Sequence, residues 1–95
     1  MQIIGKIVLE EFKNKYADVR SQVDSWVAEA EGAEWGNPMD VKERYPKASI
    51  LSGNQVVFDL KGSKYRLLTK INYPNGVVLI KNAGPHEEYM SWDTD

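Results

Sequence analysis

The apolar positions change their period near residue 47, and that change splits the chain into a helical part and a strand part. Upstream, Val8, Leu9, Phe12 and Tyr16 share one helical face, which predicts a helix over about residues 7–16. Val19, Val23, Trp26, Val27 and Ala30 form a second stripe, with Asp18 as its expected N-cap and Gly32 as its stop. Trp26 lies in the middle of that stripe and is expected in the core. Asn37-Pro38 has the form of an N-cap followed by proline at the first helical position, with Asp40 in the first turn. A short third helix should therefore run to about Tyr45 and stop before Pro46. Gln2-Ile3-Ile4 reads as a short first strand.

Downstream, residues 49–51, 56–60, 65–72 and 77–83 read as strands. The turns between them are Gly53-Asn54, Gly62-Ser63 and Pro74-Asn75-Gly76. Helices followed by a meander imply an α+β fold, with N-terminal helices packed on one face of a twisted antiparallel β-sheet. Alternation puts Tyr65, Leu67, Thr69 and Ile71 under the helices. It turns Lys64, Arg66, Leu68 and Lys70 outward as a band of positive charge. Lys81, on the next strand, can reach the same region, but Val77–Ile80 is apolar on both sides and leaves its parity open.

A length of 95 residues fits one domain, residues 1–95. There is no cysteine, hence no disulfide framework and no thiol nucleophile. No apolar run approaches the roughly 18 residues of a membrane span. Lys6, Glu10, Glu11 and Lys13 interrupt any signal-peptide pattern. These features favour the cytoplasm and argue against a membrane. Net charge is −2, which suits a nucleic-acid binder poorly, but its distribution is uneven. Residues 56–86 hold Lys61, Lys64, Arg66, Lys70 and Lys81 against Asp59 alone, whereas Glu87, Glu88, Asp93 and Asp95 close the chain. The basic stretch is either solubilising charge on an exposed face or a phosphate-binding patch on an acidic body.

One histidine without cysteine cannot make a common structural zinc site, and neither a Gly-rich phosphate loop nor a nucleophile elbow is present. RNA cleavage needs none of these. The ribose 2′-hydroxyl is its own nucleophile, so no metal or other cofactor is required. The protein must supply a base, an acid and cations for the charge of the phosphorane. His86 is the natural base or acid, and Arg66, Lys64 and Lys81 can balance phosphate charge. Tyr89 can stack on a base or donate a proton. Lys61 and Lys70 extend the phosphate-binding set. The plain alternative is a structural surface histidine and a tyrosine that closes the end of the sheet.

Several segments together resemble the HigB-type toxins of the RelE-like superfamily, across most of the chain. They are Ala33-Glu34-Trp35 before the Asn37-Pro38 helix start, and Tyr45-Pro46-Lys47-Ala48-Ser49-Ile50-Leu51. They continue with the run from Val56 to Leu67, then Lys70-Ile71-Asn72-Tyr73 and Gly84-Pro85-His86-Glu87-Glu88-Tyr89. The resemblance implies a RelE-like α+β fold and cleavage of mRNA, usually at the ribosome, with consequent inhibition of translation. It also implies neutralisation by a helix-turn-helix antitoxin of HigA type. By match, Arg66 takes the place of the family's sheet arginine, and His86 and Tyr89 those of its C-terminal motif. The chain departs from the family at Lys81, usually arginine, at Pro85, commonly threonine, and at Met90, often aspartate. Lysine keeps the charge at 81 but loses the planar fork, and proline at 85 removes a hydroxyl and a backbone donor. Many such toxins are also basic. The alternatives are a catalytically weak or inactive RelE-like module that binds RNA or protein without cutting, and a gyrase-targeting toxin on the same fold.

Overall fold

Helical stripes and alternating strands both find their places in the computed structural model, which describes residues 1–94. Strand β1 (Gln2–Ile4) is followed by helix α1 (Lys6–Lys15), a 3₁₀ turn (Ala17–Val19), α2 (Arg20–Gly32) and α3 (Pro38–Arg44). Strands β2 (Ser49–Leu51), β3 (Gln55–Leu60), β4 (Tyr65–Asn72) and β5 (Val77–Pro85) come next, then the single-turn helix α4 (His86–Tyr89).

Leu9 and Phe12 on α1, and Val23, Trp26 and Ala30 on α2, are the buried positions of the two stripes. Asn37 caps α3 as its sequence indicates, its side-chain oxygen accepting the Asp40 backbone N–H at 3.1 Å. Asp18 departs from expectation. It lies within the 3₁₀ turn, and α2 begins after Val19 with no side-chain cap. Its carboxylate instead accepts hydrogen bonds from Lys64 Nζ at 2.9 Å and the Tyr65 hydroxyl at 2.8 Å. Two cross-chain donors, one of them cationic, outcompete one orphan N–H, which the preceding 3₁₀ turn leaves less in need of a partner.

The sheet order is β1-β5-β4-β3-β2. Strands β2 to β5 are antiparallel neighbours, as the meander requires, but β1 pairs with β5 in parallel, so the sheet is mixed rather than wholly antiparallel. Helices α1–α3 separate β1 from the meander in sequence, and a connection of that length leaves the direction of pairing free. Gly5 makes the turn from β1 into α1. Its φ is +91°, and a Cβ there would stand 3.0 Å from the Ile80 carbonyl oxygen, so glycine is required twice over.

Val56, Phe58, Leu60, Tyr65, Leu67, Ile71, Val78 and Ile80 form the sheet side of the main core. Phe58 is its centre: Trp26 meets it edge-on at 5.2 Å, Tyr45 likewise at 5.2 Å, and Trp35 stacks at 6.2 Å. The opposite face was expected to be open. It is partly covered. Val57 and Leu68 point away from the helices and are still 1% and 0% exposed. The segment after β5 recrosses this face: α4 packs on β4 and β5, Trp92 lies near Gly84, and the Thr94 carbonyl accepts from Gln55 Nε2 near the start of β3. Leu68, paired with Val57, lies between those two anchor points along β4.

Candidate functional site

Strand register creates the site. The β3–β4 hairpin sets Asp59 directly opposite Arg66, and the β4–β5 pairing sets Gly84 opposite Arg66 on its other side. Arg66 Nη1 donates to Asp59 Oδ1 at 2.7 Å, with the two side chains 16% and 21% exposed. The last ladder contact is the His86 backbone N–H, which donates to the Lys64 carbonyl at 3.0 Å. Immediately beyond it α4 turns back, and its single turn delivers His86 and Tyr89 to the same corner. Their ring centres are 6.5 Å apart, and the guanidinium carbon of Arg66 lies 5.9 Å from the centre of the Tyr89 ring. Trp92 meets Tyr89 edge-on at 5.7 Å.

Gly84 leaves room for this return. A Cβ at Gly84 would collide with the Glu88 carboxylate and stand 3.3 Å from the Trp92 ring. The absent side chain lets the C-terminal segment lie close against the ladder. His86 is exposed, whereas Tyr89 is half-buried between Arg66 and Trp92.

The other cations separate from this corner. Lys81 is the extra residue of a β-bulge: Thr69 pairs with Ile80 and Leu68 with Asn82, which leaves Lys81 without an opposite number. The bulge answers the open parity of Val77–Ile80. Lys81 Nζ donates to Gln55 Oε1 at 2.8 Å, and the amide of the same glutamine donates to the Ser52 and Thr94 carbonyls. Gln55, only 3% exposed, thus ties Lys81, the β2–β3 turn and the C-terminal segment together. Lys64 turns towards Asp18 and is 63% exposed. The hydrogen bond from Lys64, then that from Tyr65, holds the Asp18 carboxyl below its usual range, and Asp18 in return raises the Lys64 ammonium. Burial first and Asp18 second push the Tyr65 phenol up. Lys61 sits in the β3–β4 turn at φ 52°, its backbone N–H bound to Gln22 Oε1 at 2.7 Å. Lys70 is exposed and lines a groove of about 500 Å³ with Ile4, Asn54, Asn72 and Leu79.

The expected continuous basic band is therefore interrupted. Arg66, Tyr89 and His86 come together, while Lys64 and Lys81 are each engaged by a different partner and Lys70 stands near the other end of β4. Sequence reasoning overlooked Asp59, Gln55, Gly84 and Trp92. For Asp59 a signal existed. It has the parity of the outward face on β3, and a four-residue connection to β4 leads straight to Arg66. Gln55 and Trp92 carried no such signal, because their roles depend on how the segment after β5 returns.

Chemically, the corner offers a cation with donors to spare, a phenol and an imidazole on an exposed edge. A guanidinium has five N–H donors, and Asp59 engages this one through Nη1. No helix among the described residues is long and apolar enough to cross a membrane. No curated protein matches the chain. A family model does: HigB_toxin, the RelE-like toxic component of a toxin-antitoxin system, matches residues 19–92. That span runs from the 3₁₀ turn through the meander to Trp92, and so takes in the corner and the segment that covers it. The chain belongs to the RelE-like HigB toxin family, and its partner is accordingly an antitoxin.

Proposed function

We propose that the protein is an endoribonuclease toxin that cuts ribosome-bound mRNA by attack of a ribose 2′-hydroxyl on the adjacent phosphate. The meeting of Arg66, Tyr89 and His86 at one corner of the sheet, with His86 exposed, carries this reading. In it, His86 moves the proton, taking it from the 2′-oxygen or giving one to the leaving 5′-oxygen, a task suited to an imidazole, which can both accept and donate a proton. Arg66 balances the charge that builds on the phosphorane. Tyr89 stacks on a flanking base or serves as the second proton donor. Lys81 supplies further positive charge from the bulge, and Lys61, Lys64 and Lys70 draw in the RNA backbone. The protein acts in the cytoplasm as one RelE-like domain, and a helix-turn-helix antitoxin of HigA type neutralises it.

The test is cleavage of ribosome-bound mRNA by the purified protein, with RNA ends mapped. Wild type should produce defined ends. Arg66→Ala and His86→Ala should remain folded and cut about 10²-fold more slowly or worse. An mRNA left intact by folded wild type would end this reading. A second reading, a RelE-like module that binds a protein partner without cutting RNA, is favoured by the acidic groups crowding the corner: Asp59 on Arg66, Glu88 beside Gly84, and Glu87 between His86 and Glu88 in sequence. Folded wild type that neither binds nor cuts RNA would select it.

A further inference from the structure

We propose that Asp59 is a positioning residue of this site, one that aims Arg66 before RNA arrives; the inference rests on the ribonuclease reading above. A carboxylate beside the central cation of an RNA site is unexpected, because its charge opposes every phosphate that approaches. For affinity alone it is a handicap. Its placement is nonetheless fixed by the backbone. Asp59 and Arg66 are direct ladder partners, and the turn between their strands is held by consecutive positive φ angles at Lys61 (52°) and Gly62 (68°). A slip of one residue would turn Asp59 to the other face.

The two groups around Arg66 restrain different motions. The Tyr89 ring, 5.9 Å from the guanidinium carbon, limits how the cation can move along one direction. The Asp59 carboxylate, 2.7 Å from Nη1, tethers that end of the fork to β3. Four further N–H donors of the guanidinium remain. An unrestrained arginine on a strand samples many rotamers and would lose that freedom only on meeting the substrate. Ordering it beforehand leaves that cost out of the reaction step. A positioning role thus explains why a negative charge stands where a purely attractive surface would have none.

The experiment separates binding from chemistry. Wild type, Asp59→Ala and Asp59→Asn are compared on ribosome-bound mRNA: in affinity for a message made non-cleavable by 2′-deoxyribose at the cut site, and in single-turnover cleavage of the matching all-ribose message at saturating protein. Asp59→Ala should cleave on the order of 10- to 100-fold more slowly while binding the deoxy-substituted RNA at least as tightly, since one negative charge is gone. Asp59→Asn keeps an oxygen acceptor for Nη1 and should recover part of the rate. Damage to the fold alone would weaken binding and rate together and would not be rescued by asparagine. Asp59→Ala cleaving at the wild-type rate, or faster, overturns the inference, as does a parallel loss of binding and rate. If wild type itself leaves the RNA uncut, the ribonuclease reading falls and this inference with it. If wild type cuts and Asp59→Ala is indifferent, only this inference falls.

Discussion

The face of the sheet under α1 and α2 and the face crossed by the C-terminal segment both bury side chains completely, yet they do so by unlike means. Under the helices, aromatic rings from α2, the loop after it and the residue after α3 converge on Phe58 in a continuous apolar core. On the other face Val57 and Leu68 are buried where a narrow return of chain crosses the sheet, anchored beside Gly84 at one end and through Gln55 at the other. The first face derives its stability from extensive packing. The second has a few contacts, several of them polar, next to the groups assigned to chemistry. A thin cover can be displaced locally without unfolding the domain. The comparison therefore separates a region that holds the fold from a region that presents the proposed site.

That separation can be broken most severely at Phe58. Phe58→Ala should cost about 3–5 kcal/mol, because it removes the ring that Trp26, Trp35 and Tyr45 share. Chemical denaturation measures it, and a loss under 1 kcal/mol would mean that the helix face is not the dominant core. Leu68→Ala sharpens the contrast. The side chain is fully buried, but under a narrow segment that can settle into the space, so we expect about 2 kcal/mol, the low end for leucine. A cost equal to that of Phe58→Ala would show the two faces to be equally rigid.

Gly84→Ala should have a smaller global effect, about 1 kcal/mol or less, with a larger local one. The added methyl would displace Glu88 and Trp92, so Trp92 fluorescence should move towards that of an exposed indole while helix and sheet signals persist. An unchanged spectrum would show that the segment accommodates the methyl in place. Asp18→Asn should have the least effect, with a definite dependence on pH. The folded Asp18 carboxyl titrates below its unfolded value because Lys64 and Tyr65 donate to it. Its stabilisation is therefore complete above the unfolded value, near pH 4, and is lost as pH falls through the lower folded value. Asp18→Asn should lower the thermal midpoint at neutral pH and leave it unchanged in strong acid. Equal destabilisation at both would point to packing rather than charge.

The same contrast explains what was legible along the chain. The α2 stripe, the Asn37-Pro38 helix start and the 65–72 strand were readable because each is a local pattern whose apolar side meets one large core. Arg66, His86 and Tyr89 were readable as types of chemistry and through the family pattern around them. Their conjunction, and the engagement of Arg66 by Asp59, were not. They depend on register between strands and on where the chain goes after β5.

By itself the sequence determined the α+β class, the helix-covered side of the meander and the family, because periodicity and short motifs act over neighbouring residues. Only the tertiary structure decided that β1 pairs in parallel with β5, that Asp18 serves Lys64 and Tyr65 rather than α2, and that a bulge at Lys81 hands its ammonium to Gln55. It also decided that the supposedly open basic face is interrupted by ion pairs and crossed by the segment after β5. Each of these joins residues distant in sequence. A charged or polar side chain takes whichever partner the fold brings near, and no local pattern records that choice.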